Sequence, residues 1–380
     1  MDPASAQGAA DARGCVCIAA VDPCQWRALA QRAIEPNGYY LPGWELAVSA
    51  TARGRTDAAA LTAHDRTSRR LIGLLPVISL WRAFGIPLPA LVSAHPYGTL
   101  CSPLIDRDRA GDAATRLLRH ARESGAHALV LRDVALDGAA MTALKEAMAR
   151  DGLRPRVLSS YVRASLDATQ DGENLLRAAV GAKKLKELRR LRHRLAEHGT
   201  VTFDIARRPD EIGAALETFL ALEASGWKGK RGTALIQHDG DAAFIRRAVP
   251  ALASTAQCEV ITLRAGATAI ASGLVLRHQD RAFFFKLGID ERFAKYSPGV
   301  QLTLDLTRHL CADPTIASAD STAGADHPMI NPIWRGRFAI GDVLIPLRRH
   351  DPLVMLIHAA LTARGLARIS ARRAVLALRT

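Results

Sequence analysis

Two hydrophobic periods alternate along the chain, one near two residues and one near 3.6. In the first 170 residues, strand-like runs cover 15–20, 58–63, 70–81, 128–134 and 156–166, and helical periodicity covers 112–123 and 139–150. This order predicts an α/β sheet unit over residues 15–165. Residues 173–198 then read as one long helix, because Leu185, Leu188, Leu191 and Leu195 recur at spacings of three and four and so share a face. Gly199 follows as the terminating glycine.

Beyond it the pattern is a strand at 201–206, a helix at 210–225, a loop at 226–232, a helix at 241–253 and three strands at 258–264, 268–277 and 281–289. The links between these strands are short enough for hairpins, so an antiparallel meander is expected. A loop at 290–297, a helix at 298–311, a strand at 316–321, a helix near 328–334 and a strand at 342–347 complete a second unit over 166–350. The helix crossing from strand 281–289 to strand 316–321 adds a βαβ connection to the meander. Residues 351–380 read as a basic amphipathic helix, with Leu353, Val354, Leu356 and Ile357 followed by Arg364, Arg368, Arg372, Arg373 and Arg379. Residues 1–14 read as a disordered tail.

Composition narrows the class. The 380 residues are 49% hydrophobic and 23% charged, which excludes a disordered chain. Uncharged apolar runs such as residues 71–81 are far short of the roughly twenty residues that a membrane span requires. The six cysteines form no C-x-x-C pair, and the twelve histidines form no H-x-x-x-H, so neither a disulfide scaffold nor a metal site is expected. A cytoplasmic protein fits these counts. The net charge of +14 is uneven: residues 1–170 hold 20 basic and 16 acidic side chains, and residues 171–380 hold 31 and 21. Arginine dominates the basic residues and alanine is abundant, which suits a GC-rich bacterial genome and weakens net charge as a functional signal.

The motifs of the second unit are more specific. Glu223-Ala-Ser-Gly-Trp-Lys-Gly-Lys-Arg-Gly-Thr-Ala234, Phe285-Lys286, Tyr296-Ser297-Pro298-Gly299, Asp320-Ser321, His327-Pro328-Met329-Ile330 and Trp334 occur in that order. This series resembles the GNAT acyltransferase superfamily, in its bacterial branch of cellulose-biosynthesis-associated acetyltransferases, related to the Fem peptidoglycan-bridge aminoacyltransferases. The resemblance implies a mixed sheet flanked by helices, with two GNAT-like halves in tandem as in Fem-type enzymes. It also implies an acyl-coenzyme A donor held between two splayed strands.

Each candidate residue has a chemical reason. Ser297 can cap the helix at 298–311, Pro298 suits its first turn, and the N–H groups of Gly299, Val300 and Gln301 can face the donor's phosphates beside Tyr296. On strand 281–289, simple alternation puts Phe283, Phe285 and Leu287 on one face and Phe284, Lys286 and Gly288 on the other. Lys286 is then an ammonium among aromatics, able to stabilise an oxyanion. Asp320, at a strand's carboxyl end, is the first candidate base and Glu223 the second; a strand-end turn aspartate is the plainer reading. Trp227, Lys228, Lys230 and Arg231, spaced by glycines, can close over an anionic acceptor. The turn at His95-Pro-Tyr-Gly98 reads as a buried turn or as an acceptor contact from the first half.

The leading functional expectation is direct transfer of an acyl group from acyl-coenzyme A to an amine or hydroxyl of a small-molecule or glycan acceptor, with no covalent cysteine intermediate. An aminoacyl-tRNA donor is the second reading, because Lys183, Lys184, Lys186, Arg189, Arg190, Arg192 and Arg194 crowd the helix at 173–198. A non-catalytic binder on the same scaffold is the third. Peripheral membrane contact through 351–380 is a further reading, and DNA is not an expected partner.

Overall fold

The computed structural model describes residues 14–377, with the side chains of Trp227, Lys228, Ile369 and 371–377 left outside that description. The tail expected to be disordered falls on 1–14, of which all but Gly14 lie outside the described residues.

The first half runs β1 (Cys15–Cys17), α1 (Pro23–Gln31), α2 (Pro42–Thr51), β2 (Ala59–His64), β3 (Leu71–Ser79), α3 (Leu80–Phe84), β4 (Ala90–Ser93), β5 (Leu104–Ile105), α4 (Ala110–Glu123), β6 (Ala128–Ala135), α5 (Ala139–Arg150) and β7 (Arg156–Asp167). The second half runs α6 (Gly172–Val180), α7 (Ala182–Leu195), β8 (Val201–Ala206), α8 (Pro209–Ser225), α9 (Trp227–Lys230), α10 (Asp239–Ala253), β9 (Cys258–Ala265), β10 (Thr268–His278), β11 (Arg281–Ile289), α11 (Pro298–Ala312), β12 (Ser318–Asp320) and β13 (Gly336–Pro346), followed by α12 (Pro352–Ala377).

One mixed sheet carries both halves, in the order β1-β2-β3-β4-β6-β13-β7-β12-β11-β10-β9-β8, with β5 paired to β3 off this path. The halves repeat one scheme. Three antiparallel strands lead to a parallel pair, β4 with β6 in the first half and β11 with β12 in the second, and a helix crosses between the members of each pair. The last strand of each half is exchanged. β13 pairs antiparallel with β6 of the first half, β7 pairs antiparallel with β12 of the second, and the two exchanged strands pair with each other at the centre. The meander β9-β10-β11 has its two antiparallel registers.

Several elements differ from the sequence expectation for identifiable reasons. The helix read across 173–198 is two helices, broken at Gly181, whose φ of 82° a side chain disfavours. The segment near 328–334 forms turns, because Pro332 removes an N–H and biases Asn331 away from the helical region. The strand read at 15–20 is a three-residue strand followed by a 3-10 turn at Ile18–Ala20. Helices α1 and α2 follow no stripe that the sequence would reveal; α2 buries Trp44, Glu45, Ala47, Val48 and Ser49, almost its whole circumference.

Aromatic packing joins the halves. The ring of Trp44 lies edge-on to Phe244 and Phe285 at 4.9 Å, and its indole N–H donates to Pro96 O at 2.6 Å. Burying one such ring stabilises by roughly 1.5–3 kcal/mol, and here the ring spans both halves. A second core holds Leu185, Leu188 and Leu195 of α7 against α11 and the outer face of β11, and a third lies under α12.

Candidate functional site

β11 and β12 are hydrogen-bonded only from Arg281/Ser318 to Phe283/Asp320. Beyond that point β11 continues to Ile289 while the chain after β12 turns away, so the strands part. The gap is a cavity of about 430 Å³, lined by Leu287, Ile289, Pro298, Val300, Met329 and Ile330 among others, with Thr322 and Lys286 at its polar part. The equivalent gap in the first half is filled by its own loop: Cys101 N–H donates to Asp133 O and Ala135 N–H to Ser102 Oγ, where β4 has ended. The second half therefore retains an open slot where the first is plugged.

A β-bulge shapes the slot. The register passes from Leu274 opposite Lys286 to Val275 opposite Phe284, which leaves Phe285 as the extra residue. This corrects the simple alternation expected for β11. Phe285 packs on Trp44, and Lys286 next to it also points toward α8, where its Nζ donates to Glu223 Oε1 at 2.9 Å. Leu287 and Ile289 return to the α11 side. Gly288 makes the approach possible, since a Cβ there would lie 2.6 Å from the backbone N of Glu223. Lys286 Nζ also lies 5.7 Å from the Tyr97 ring and 5.8 Å from that of Phe285, so the expected aromatic surround is present.

Glu223 is 1% exposed, and its second oxygen accepts from Leu235 N–H at 3.0 Å. Tyr97 comes from the His95–Gly98 turn, its hydroxyl donating to Asp241 Oδ2 at 2.7 Å, with the Arg55 guanidinium 4.4 Å from its ring. Burial, with Arg55 and Arg132 nearby, pushes the His95 imidazole down to about 3, so it is neutral at physiological pH. That turn is thus how the first half reaches the site.

Asp320 is not among the lining residues. It is 1% exposed, its Oδ2 accepts from Arg163 Nη2 at 2.5 Å, and its Oδ1 accepts from Thr322 N–H at 2.9 Å. Arg163, on the exchanged strand β7, is itself fully buried and donates to the carbonyl and hydroxyl oxygens of Thr99. Thr99 Oγ1 donates to Thr322 O at 3.1 Å, and Thr322 Oγ1 donates to Phe284 O at 2.6 Å across the parting strands. Thr322 has φ of 51°, a costly conformation for a β-branched residue, and this network holds it there. Arg163, Thr99 and Thr322 carry no motif signal; Arg163 meets Thr99 and Asp320 across 64 and 157 residues of sequence, and the Thr99–Thr322 bond spans 223.

At the start of α11, Ser297 occupies the cap position but makes no capping hydrogen bond through its side chain, because it sits in the left-handed region at φ 54°. Gln301 N–H is already bonded to Ser297 O, and its side chain donates to Leu188 O and Tyr296 O. Tyr296 is buried, with its hydroxyl 3.0 Å from His198 Nε2. Gly299 and Val300 remain as the first-turn residues that line the cavity. Of the loop at 226–232, Lys230 pairs with Glu291 at 2.5 Å, and Arg231 is exposed. The side chains of Trp227 and Lys228 lie outside the described residues.

Residues 182–327 match the family model described as an acetyltransferase (GNAT) domain. This stretch is a GNAT acetyltransferase domain. It contains the meander, the bulge, the parting strands and the start of α11. A comparison with curated proteins gave no match. Among solved structures, the crystal structure of FemX superposes with a TM-score of 0.59 at 11% identity, over 89% of this chain and 98% of that one. The C-terminal domain of a putative lysylphosphatidylglycerol synthetase from Agrobacterium fabrum gives 0.54 at 13% identity, over 89% and 95%. A conserved protein of unknown function from Bacteroides thetaiotaomicron gives 0.52 at 10%, over 86% and 98%. At these identities the likeness concerns the fold, which spans both halves around the GNAT domain.

Proposed function

We propose that the protein transfers an acyl group from acyl-coenzyme A directly to an amine or hydroxyl of a sugar or amino-acid-like acceptor. The observation that carries this reading is the open, largely apolar slot between β11 and β12 with the first turn of α11 at one end. An acyl-pantetheine arm fits such a slot, and the Gly299 and Val300 N–H groups suit its phosphates. The thioester carbonyl would lie at the bulge, where Lys286 supports the oxyanion as the acceptor attacks. The C–S bond then breaks, the thiolate leaves, and the acceptor's proton passes to a carboxylate. Glu223 is the better placed carboxylate, since it shares Lys286 with the cavity, and Asp320 acts as a positioning residue through Thr322. The acceptor would enter from the Tyr97 and α9 side, where the halves meet. The ordered motif series from Glu223 to Trp334 supports the cellulose-associated branch.

Gly299 supplies the test. A Cβ there would stand 3.0 Å from Leu287 and 3.1 Å from Met329, so Gly299→Val should fill the slot. Titration calorimetry is expected to show coenzyme A binding to the wild type and none to the variant, at an unchanged unfolding midpoint. Equal binding by both would place the donor elsewhere.

One observation keeps an aminoacyl-tRNA donor as the second reading. α7 packs beside the start of α11 through Leu188, and Lys183, Lys186, Arg189, Arg190 and Arg194 on it are exposed, while Arg192 pairs with Asp305 at 2.7 Å. Replacing Arg189, Arg190, Arg192 and Arg194 by Gln should leave coenzyme A affinity nearly unchanged. If the donor is RNA, each lost phosphate contact flattens the salt slope of binding by roughly 0.7–0.9, and a steep wild-type slope lost in the variant would select that donor.

A further inference from the structure

Helix α12 leaves large apolar side chains in water. The sequence predicts a basic outer surface, and Arg364 and Arg368 are exposed, but among the described residues an apolar stripe also faces solvent: Met355, Ala359, Ala363 and Leu366, at i, i+4, i+8 and i+11, with Leu356 beside it. Met355, Leu356 and Leu366 are 55%, 52% and 62% exposed, while Val354 and Ile357 pack inward. Arg364 leans on α3 over the Phe84 ring, and Arg368 lines the space between α12 and the sheet. α3 packs under α12 through Leu80 and exposes Trp81 at 62%. Three large apolar side chains on one helix, with a tryptophan on the helix packed beneath it, are more than scattered surface hydrophobics.

The charge on α12 itself has one sign. Residues 352–380 contain no acidic residue. At the start of α12 a cavity of about 670 Å³ is lined by Arg154, Arg156, Arg348, Arg349 and His350, with Met355 at its rim. Among the described residues, none of these four arginines has a carboxylate within ion-pair distance. Asp351 also lines this cavity, but its carboxylate is taken by His127 at 2.5 Å and by the Leu353 N–H. Arg349 donates to Asp151 O and Arg348 to His127, which leaves most of their N–H donors for a ligand.

An apolar stripe with an interfacial tryptophan, beside an uncompensated arginine cluster, complements an anionic bilayer in both hydrophobicity and charge. We propose that this face seats on an anionic phospholipid surface, Met355, Leu356, Leu366 and Trp81 entering the acyl boundary while the arginine cavity takes lipid phosphates. The orientation follows from the packing: the helix lies flat, because its inner face is already held by the sheet. No helix among the described residues is long and apolar enough to cross a membrane, so the contact is peripheral.

Flotation of the full chain with vesicles tests this independently of acyl transfer. The wild type should float with vesicles of equal parts phosphatidylglycerol and phosphatidylcholine, and not with phosphatidylcholine alone. Arg154→Gln with Arg348→Gln and Arg349→Gln should weaken partition about 100-fold, at roughly fivefold per arginine near an anionic surface. Met355→Gln with Leu356→Gln and Leu366→Gln should abolish flotation at an unchanged unfolding midpoint. Absence of wild-type flotation, equal flotation with neutral vesicles, or a dimer in solution that the three Gln changes on α12 dissolve would each overturn the proposal.

Discussion

Asp320→Asn is expected to destabilise the fold by about 3–5 kcal/mol, because it leaves the Arg163 guanidinium buried without a counter-charge. Arg163 has no exposed surface and Asp320 almost none, so water cannot take over solvation of the orphaned cation. The loss should appear as a lower denaturant midpoint with an unchanged slope. Turnover per folded molecule should fall only as far as Thr322 shifts. Replacing both partners by apolar residues, Arg163→Met with Asp320→Leu, should recover most of the stability, since a buried pair is worth little against well-packed hydrophobic residues. A variant with wild-type stability and turnover reduced about 10²–10⁴-fold would instead make Asp320 the general base.

Lys286→Met should lower turnover by about 10²–10³-fold, the usual scale for losing one donor to a developing oxyanion. Met keeps the length and apolar contacts of the lysine stem, so coenzyme A binding should be nearly retained while kcat falls. Stopped-flow transfer to a small amine acceptor, beside calorimetric donor binding, separates the two effects. Unchanged kcat in Lys286→Met would remove the lysine from the chemistry.

The legible and illegible parts of the site divide by range. The meander, its crossing helix and the parallel pairing of the Lys286 and Asp320 strands follow from local periodicity and short turns. The bulge at Phe285 does not, because a register shift is a property of two strands and only one is visible in a local pattern. Asp320 illustrates the same limit. Its position at a strand's carboxyl end suggests chemistry, and only its partner Arg163, 157 residues earlier, shows that both of its oxygens lie in a buried network. The open slot itself is legible only by comparison with the first half, where Cys101 and Ser102 occupy the equivalent gap.

The exchanged strands also set an order of events during synthesis. β6 is complete at residue 135, yet its central-side neighbour β13 begins only at residue 336. At about 5–20 residues per second, translation leaves that strand's edge uncovered for roughly 10–40 s. The nascent first half therefore carries an open edge bordered by Leu129, Val130 and Leu131, a template for mispairing with other chains. Neither half closes its own sheet, so the two mature together or not at all, and a gene cut between them would encode two fragments that each need the other to fold.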